Sequence, residues 1–166
     1  MDDPDDHRTP RDFFDGIWRM YGPFDLDVAA SHENALTSAY FTRDSSALFR
    51  DWNYESVWCN PPYNAIDAWV DYALIQLSRK CCDTVTMLLP VRTDRPWFER
   101  VWRNAYAIDF VRGRLKFEGP HCVGTAAFPV MVVHFSNGNK RGGVKEPHVG
   151  FVNRQGQPLE QGWVIE

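Results

Sequence analysis

The run Asn60-Pro61-Pro62-Tyr63, within VWCNPPYN (57–64), sets a carboxamide, two prolines and a phenol ring at the end of an apolar stretch. Two adjacent prolines fix two φ angles and remove two amide donors, so this segment can continue neither a helix nor a central strand. What the stiffness provides is geometry. The Asn60 amide oxygen and a main-chain carbonyl preceding a proline are both acceptors and can be aimed together at one –NH₂ group. Tyr63 offers a flat face to a planar ring. Two acceptors and a stacking ring form a receptor for the exocyclic amine of a nucleobase, provided that base leaves its helix. A second capable stretch is FDLDVAAS (24–31), where Asp27 precedes the small residues Ala29, Ala30 and Ser31. There a ligand can approach the backbone while a carboxylate stays close.

Other reactive residue types carry less. The four cysteines (Cys59, Cys81, Cys82, Cys122) form no C-x-x-C pair and have no H-x-x-x-H partner, so no metal site is expected. Cys59 reads as a buried thiol at a strand end rather than a nucleophile. The five histidines are scattered and none is assigned a role. Most of the seven tryptophans read as core, with Trp97, beside Arg95, the one set apart for base contact.

The elements that must position these groups follow from periodicity. TPRDFFDGIWRMYG (9–22) reads as a helix with Thr9 as N-cap, Pro10 at the first helical position, Asp12 in the first turn and Gly22 closing it. Phe13, Phe14, Ile17, Trp18 and Tyr21 mark its buried stripe. FDLDVAAS is a short strand and SVWCN (56–60) a second. Ile66, Trp69, Val70, Ala73, Leu74 and Leu77 then trace an amphipathic helix. TVTMLLP (84–90) is a strand buried on both faces, RPWFERVWRNA a helix, AIDFVRG a strand and FPVMVVHF (128–135) another buried strand. Alternating helices and apolar strands indicate an α/β sandwich with a mostly parallel sheet. Ligands of such sheets bind beyond the strands' carboxyl ends, where the strand order reverses. Residues 136–148 read as a Gly/Lys/Arg loop, 149–166 as a terminal hairpin, and the first seven residues as disordered.

Bulk properties bound the rest. At 166 residues the chain is one domain, with 44% hydrophobic and 24% charged residues. It has no apolar run long enough to span a membrane, and its acidic start, MDDPDDHR, lacks the apolar core of a secretory signal, so a cytoplasmic location is expected. The net charge of −4 is unevenly spread: residues 1–78 hold 5 basic against 14 acidic side chains, residues 79–145 hold 12 against 5. A basic second half in an acidic protein points to a localised anionic partner.

The order of the stretches TP, FDLDVAAS, YFTRDSSAL, WCNPPY, LLPVRTDRPWF and FVRGRLKF resembles the small phage-type Dam family of DNA N6-adenine methyltransferases, over about residues 8–135. The resemblance implies a shortened, single-domain, Rossmann-like class I methyltransferase fold with helices on both faces of a mostly parallel sheet. It divides the chain into a disordered acidic N-terminus (1–7), the methyltransferase domain (8–135), and a basic loop with a C-terminal extension (136–166). It implies transfer of a methyl group from S-adenosylmethionine to adenine N6 in double-stranded DNA, site-specifically and without a metal, in a phage-infected or prophage-carrying bacterial host. Asn60 and the Pro61 carbonyl would accept from the amine, Pro62 would hold the turn, and Tyr63 would stack on the flipped base. Thr9, Pro10, Asp27, Ala29, Ala30, Ser31 and Asp44 would line the cofactor pocket, with Asn60 shared between the two.

Two departures stand out. The glycine-rich G-x-G of ordinary methyltransferases is replaced by alanines and Ser31, and only 25 residues separate Ser31 from Val57, too few for two regular βα units. No length is spare for a separate target-recognition domain, which leaves recognition to the loops 92–95, 112–118 and 137–146. Their candidate contacts are Arg92, Arg95, Trp97, Arg112, Arg114, Lys116, Lys140 and Arg141. Arg112, Arg114 and Lys116 alternate on an expected strand and share one face, with Phe117 on the other. Two alternatives remain open at this point: the same chemistry on cytosine N4, an RNA adenine or a protein glutamine, and an inactive nucleic-acid-binding module.

Overall fold

Successive residues of a strand face opposite sides of its sheet, so strands that are apolar at every position require cover on both faces. The computed structural model, which describes residues 6–137 and 146–160, supplies that cover. The chain runs through α1 (Arg11–Tyr21), β1 (Leu26–Asp27), β2 (Ala39–Tyr40), β3 (Ser56–Cys59), α2 (Ile66–Ser78) and β4 (Thr84–Pro90). It continues through α3 (Pro96–Asn104), β5 (Ala107–Val111), β6 (Val130–Ser136) and β7 (His148–Val152). Val57, Cys59, Val85, Met87, Leu89, Met131 and Val133 pack against α2 and α3. Trp58, Leu88, Val130 and Val132, at the intervening positions, pack against Phe13, Phe14 and Ile17 of α1. Each of those three α1 side chains is fully buried, a burial that stabilises by roughly 1.5–3 kcal/mol per side chain.

The seven strands lie in the order β2-β1-β3-β4-β6-β5-β7. Only β6 runs against its neighbours; the other pairings are parallel. This is a mostly parallel α/β fold of the class I methyltransferase type. The connection leaving β1 goes to β2 on one side, while the connection leaving β3 goes to β4 on the other. The order therefore reverses between β1 and β3, and a ligand crevice belongs beyond their carboxyl ends. Asp27 closes β1, and Asn60 directly follows β3.

Several expectations are corrected. Helix α1 begins at Arg11 with Pro10 in the capping position, and no side chain caps it; the Thr9 hydroxyl is turned instead toward Asn60. FDLDVAAS pairs over Leu26–Asp27 alone. The long gap before β3 is crossed without an α-helix, by β2 and two short 3-10 turns. This crossing is pinned from below: the buried Gln76 of α2 accepts from the Trp52 amide at 2.8 Å. The expected hairpin of the 149–166 region is present in short form: the chain turns at 153–157, Val152 bridges Pro158 antiparallel, and the Leu159 amide donates to the Phe151 carbonyl at 2.8 Å. Its first arm, β7, also joins the sheet parallel to β5. Residues 112–118 keep the expected alternation, with Leu115 and Phe117 buried and Arg112, Arg114 and Lys116 exposed, but belong to no strand. Asp6 and His7, expected to be disordered with the residues before them, are packed in place. Among the described residues no helix is long and apolar enough to cross a membrane.

Candidate active site

Beyond β3 the two prolines turn the chain into a 3-10 turn, Tyr63–Ala65, that leads directly into α2. This holds Asn60 at the strand end. Its amide nitrogen donates one hydrogen bond to the His7 carbonyl at 2.6 Å and another to Thr9 Oγ1 at 3.0 Å. Both carboxamide hydrogens are thus used, which fixes the amide against flipping. The oxygen, Oδ1, is buried and has no hydrogen-bond partner among the described residues. An unmatched buried acceptor costs about 1–3 kcal/mol. It marks the point where an incoming N–H donor gains most.

Tyr63, three residues further on, stands in a cage of rings. His7 is stacked on it, with centroids 5.5 Å apart and planes 16° from parallel. Phe117 and Phe128 present their edges at 6.1 and 5.4 Å. The phenol makes only a long bond to the Leu88 carbonyl, 3.4 Å, and burial raises its pKa far above the usual range, so it remains neutral. A cleft of about 370 Å³ opens beside the ring, lined by Tyr63, Asn64, Arg92, Arg95, Trp97 and Phe128 among others. The fold therefore brings three of the expected DNA contacts, Arg92, Arg95 and Trp97, to the same opening as Tyr63. Arg92 and Arg95 flank Asp94, at 3.0 and 3.7 Å, and remain exposed. Trp97 differs from expectation: it is only 3% exposed and belongs mainly to the core under α3. Arg112, Arg114 and Lys116 are exposed. Lys140 and Arg141 lie outside the described residues. A larger groove, about 590 Å³, runs along the outer face of α1 between Arg11, Trp18, Phe24 and Leu36. None of the expected site residues lines it, and its size is no argument for chemistry there.

On the neighbouring strand, Asp27 is 3% exposed. Its two oxygens accept from the amides of Ala29 at 3.3 Å and Leu36 at 3.2 Å, which shapes the 28–36 loop. Burial pushes its pKa up to about 6, against a smaller downward pull from those amides. Ala30 is tied to the Phe41 carbonyl at 3.0 Å, and Ser31 to Asn34 Oδ1 at 2.6 Å. Pro10 adjoins Thr9 at the start of α1. Asp44 sits exposed on the Arg43–Ser45 turn beyond β2. Cys59 is fully buried with its thiol pKa raised by burial and by Asp27, as a structural thiol should be. The residues missed by sequence reasoning are His7, Asn34, Phe117 and Phe128. The two phenylalanines bracket the loop between β5 and β6, and their shared approach to Tyr63 has no local sequence signal.

Known proteins match this chain over most of its length. The model of a family described as DNA N-6-adenine-methyltransferase (Dam) matches residues 1–157. The DNA N-6-adenine-methyltransferase of Escherichia phage T1 is 33% identical over 108 residues, which are 64% of this chain and 44% of the phage protein. The protein YfdM of Escherichia coli (strain K12) is 38% identical over 65 residues, 36% of this chain and 71% of that protein. The match thus spans less than half the length of the phage T1 relative.

Proposed function

Because this chain belongs to the Dam family of DNA N6-adenine methyltransferases, we propose that it methylates the N6 amine of adenine in double-stranded DNA, using S-adenosylmethionine. The observation that carries this reading is the Asn60 carboxamide, with both hydrogens engaged and its buried oxygen unmatched, three residues before the caged ring of Tyr63. In a duplex that amine is paired and stacked, so the target base is extruded into the site. Asn60 Oδ1 and the Pro61 carbonyl then accept its two N–H groups, holding the nitrogen with its lone pair directed away from the ring plane. Tyr63 stacks on the base and Pro62 keeps the turn stiff. Positioning and aligned dipoles are the protein's main contribution to such a transfer.

S-adenosylmethionine supplies an electrophilic methyl group and carries an ammonium on its amino-acid part. The donor set fits that cation: Asp27 is a buried carboxylate whose described partners are two amides and no basic side chain. Thr9, Pro10, Ala29, Ala30, Ser31 and Asp44 complete this side of the pocket, with Asn60 between donor and base. Arg92, Arg95, Arg112, Arg114 and Lys116 hold the DNA backbone, with Lys140 and Arg141 beyond the described residues. The test is chemical. Unmethylated duplex DNA is incubated with the protein and labelled S-adenosylmethionine, digested to nucleosides and analysed by mass. N6-methyladenine supports the reading; N4-methylcytosine, label on RNA or protein alone, or no transfer refutes it.

A further inference from the structure

The Asp6–Thr9 segment is tied to Asn60 and to the 118 and 34 loops by main-chain and side-chain bonds. Arg8 and Glu118 exchange amide-to-carbonyl bonds of 2.8 and 2.9 Å. The His7 carbonyl receives the Asn60 amide, and Asn34 reaches Asp6 Oδ1 at 3.3 Å. Of this segment, the His7 ring is the group that enters the aromatic cage. Its imidazole lies parallel to Tyr63, and the edges of Phe117 and Phe128 close on it at 5.3 and 5.9 Å, as they do on Tyr63 itself. A planar, nitrogen-bearing, five-membered ring therefore occupies a slot walled by three aromatic side chains. An imidazole ring is also half of a purine.

We infer that His7 holds the target-base slot in the free enzyme: its imidazole rests where the extruded adenine stacks, and turns out about its own side-chain bonds when the base arrives. The inference rests on the activity proposed above and adds to it. The His7 carbonyl stays on Asn60 throughout, so the movement clears the slot without releasing the carboxamide. The exchange also favours entry. While the ring is in place Asn60 Oδ1 lacks a partner, and the arriving amine supplies one that imidazole does not. Tyr63 and Phe128 belong both to this slot and to the cleft beside Arg92 and Arg95, which gives the base its route in.

The test compares full-length wild type, His7→Ala and His7→Phe in steady-state methyl transfer to unmethylated duplex DNA, with thermal melts confirming that each is folded. His7→Ala empties the slot and is expected to raise kcat/KM about two- to tenfold, the range of one aromatic stack, through a lower KM for DNA. His7→Phe, which refills the slot, is expected to keep KM at or above the wild-type value. A higher KM or lower kcat in His7→Ala would make the ring a wall of the pocket and overturn the inference; an unchanged KM overturns it equally. If wild type itself methylates no DNA, the proposed activity fails along with the inference. An active wild type with an indifferent His7→Ala removes the inference alone.

Discussion

With the donor ammonium placed against Asp27, as proposed above, the donor pocket becomes a proton-linked site. The Asp27 carboxyl, pushed up to about 6 by burial, binds an ammonium only when ionised. At pH 7 nearly all of it is ionised; at pH 5 about one-tenth is. Affinity for S-adenosylhomocysteine, which carries the same ammonium and no transferable methyl, should therefore fall about tenfold from pH 7 to pH 5, or about 1.4 kcal/mol. Working below pH 7 keeps the ligand's α-amino group protonated, so Asp27 is the group being titrated. Titration calorimetry in two buffers of different ionisation enthalpy should show about half a proton released per ligand near pH 6. Asp27→Asn should bind weakly at pH 7 with the pH slope gone. A flat affinity between pH 5 and 7, or an Asn variant with the wild-type slope, would refute the placement of the ammonium at Asp27 and leave that residue as an organiser of the 28–36 loop.

Other expectations follow from the same geometry. Asn60→Ala removes the unmatched acceptor and should lower kcat by about 10²–10³ while S-adenosylhomocysteine affinity by calorimetry changes little; equal losses in both would show that Asn60 serves the donor. Thr9→Val leaves one Asn60 hydrogen without its acceptor and should cost about tenfold in kcat, of the order of one hydrogen bond, with Thr9→Ser restoring the rate. A Thr9→Ser as slow as Thr9→Val would contradict the orienting role. Tyr63→Phe, which gives up only a long bond to Leu88, should keep kcat/KM within a few fold, whereas Tyr63→Ala should not. The histidine in β6, His134, is buried, with its pKa pushed down to about 4. Its contribution to stability is present above about pH 6.5 and lost as pH falls through about 4, up to about 3 kcal/mol. Asp27 acts in the opposite sense: its contribution is present below its ordinary pKa and lost as pH rises through about 6. His134→Gln should flatten the fall in melting temperature between pH 6.5 and 4, and an unaltered slope would remove His134 as its cause.

What the sequence disclosed is what depends on local pattern. The span of β4 is legible because TVTMLLP is uncharged, apolar but for Thr84 and Thr86, and bounded by Asp83 and Val91-Arg92; the two-sided burial of β3, β4 and β6 follows from the same feature. The site stretch was legible because two prolines admit so few backbone shapes. Thr9 was misjudged because Thr-Pro before a helix satisfies a capping pattern completely, and only the tertiary structure shows the hydroxyl engaged with Asn60 instead. Residues 112–118 have the alternation of a strand, yet the main-chain partners found there are scattered: Arg112 bonds to Val152, Leu115 to Ala126 and Glu118 to Arg8. The chain bends at Arg112-Gly113, where Gly113 takes a φ of 85°, and forms no ladder beyond it in this stretch. The ring cage is the least legible part. His7, Tyr63, Phe117 and Phe128 come from four distant places, and no periodicity links them.

On the proposed reading, the short first crossover explains how so few residues would serve two pockets. With no helix between β1 and β3, the 28–36 loop lies directly beside the strand end that carries Asn60. Asp27 shapes that loop through the Ala29 and Leu36 amides. Asn34, in the same loop, binds the Ser31 amide with its oxygen and Asp6 with its nitrogen. One residue further on, the His7 carbonyl fixes Asn60. Hydrogen bonds and the short stretches of chain between them thus link Asp27 to the Asn60 carboxamide, through a segment whose sequence, DDHR, has no helix or strand signal. In this chain the Asn60 carboxamide is oriented by residues from before the first helix, so on the reading proposed above the working unit is not the four-residue turn alone but that turn together with Asp6–Thr9.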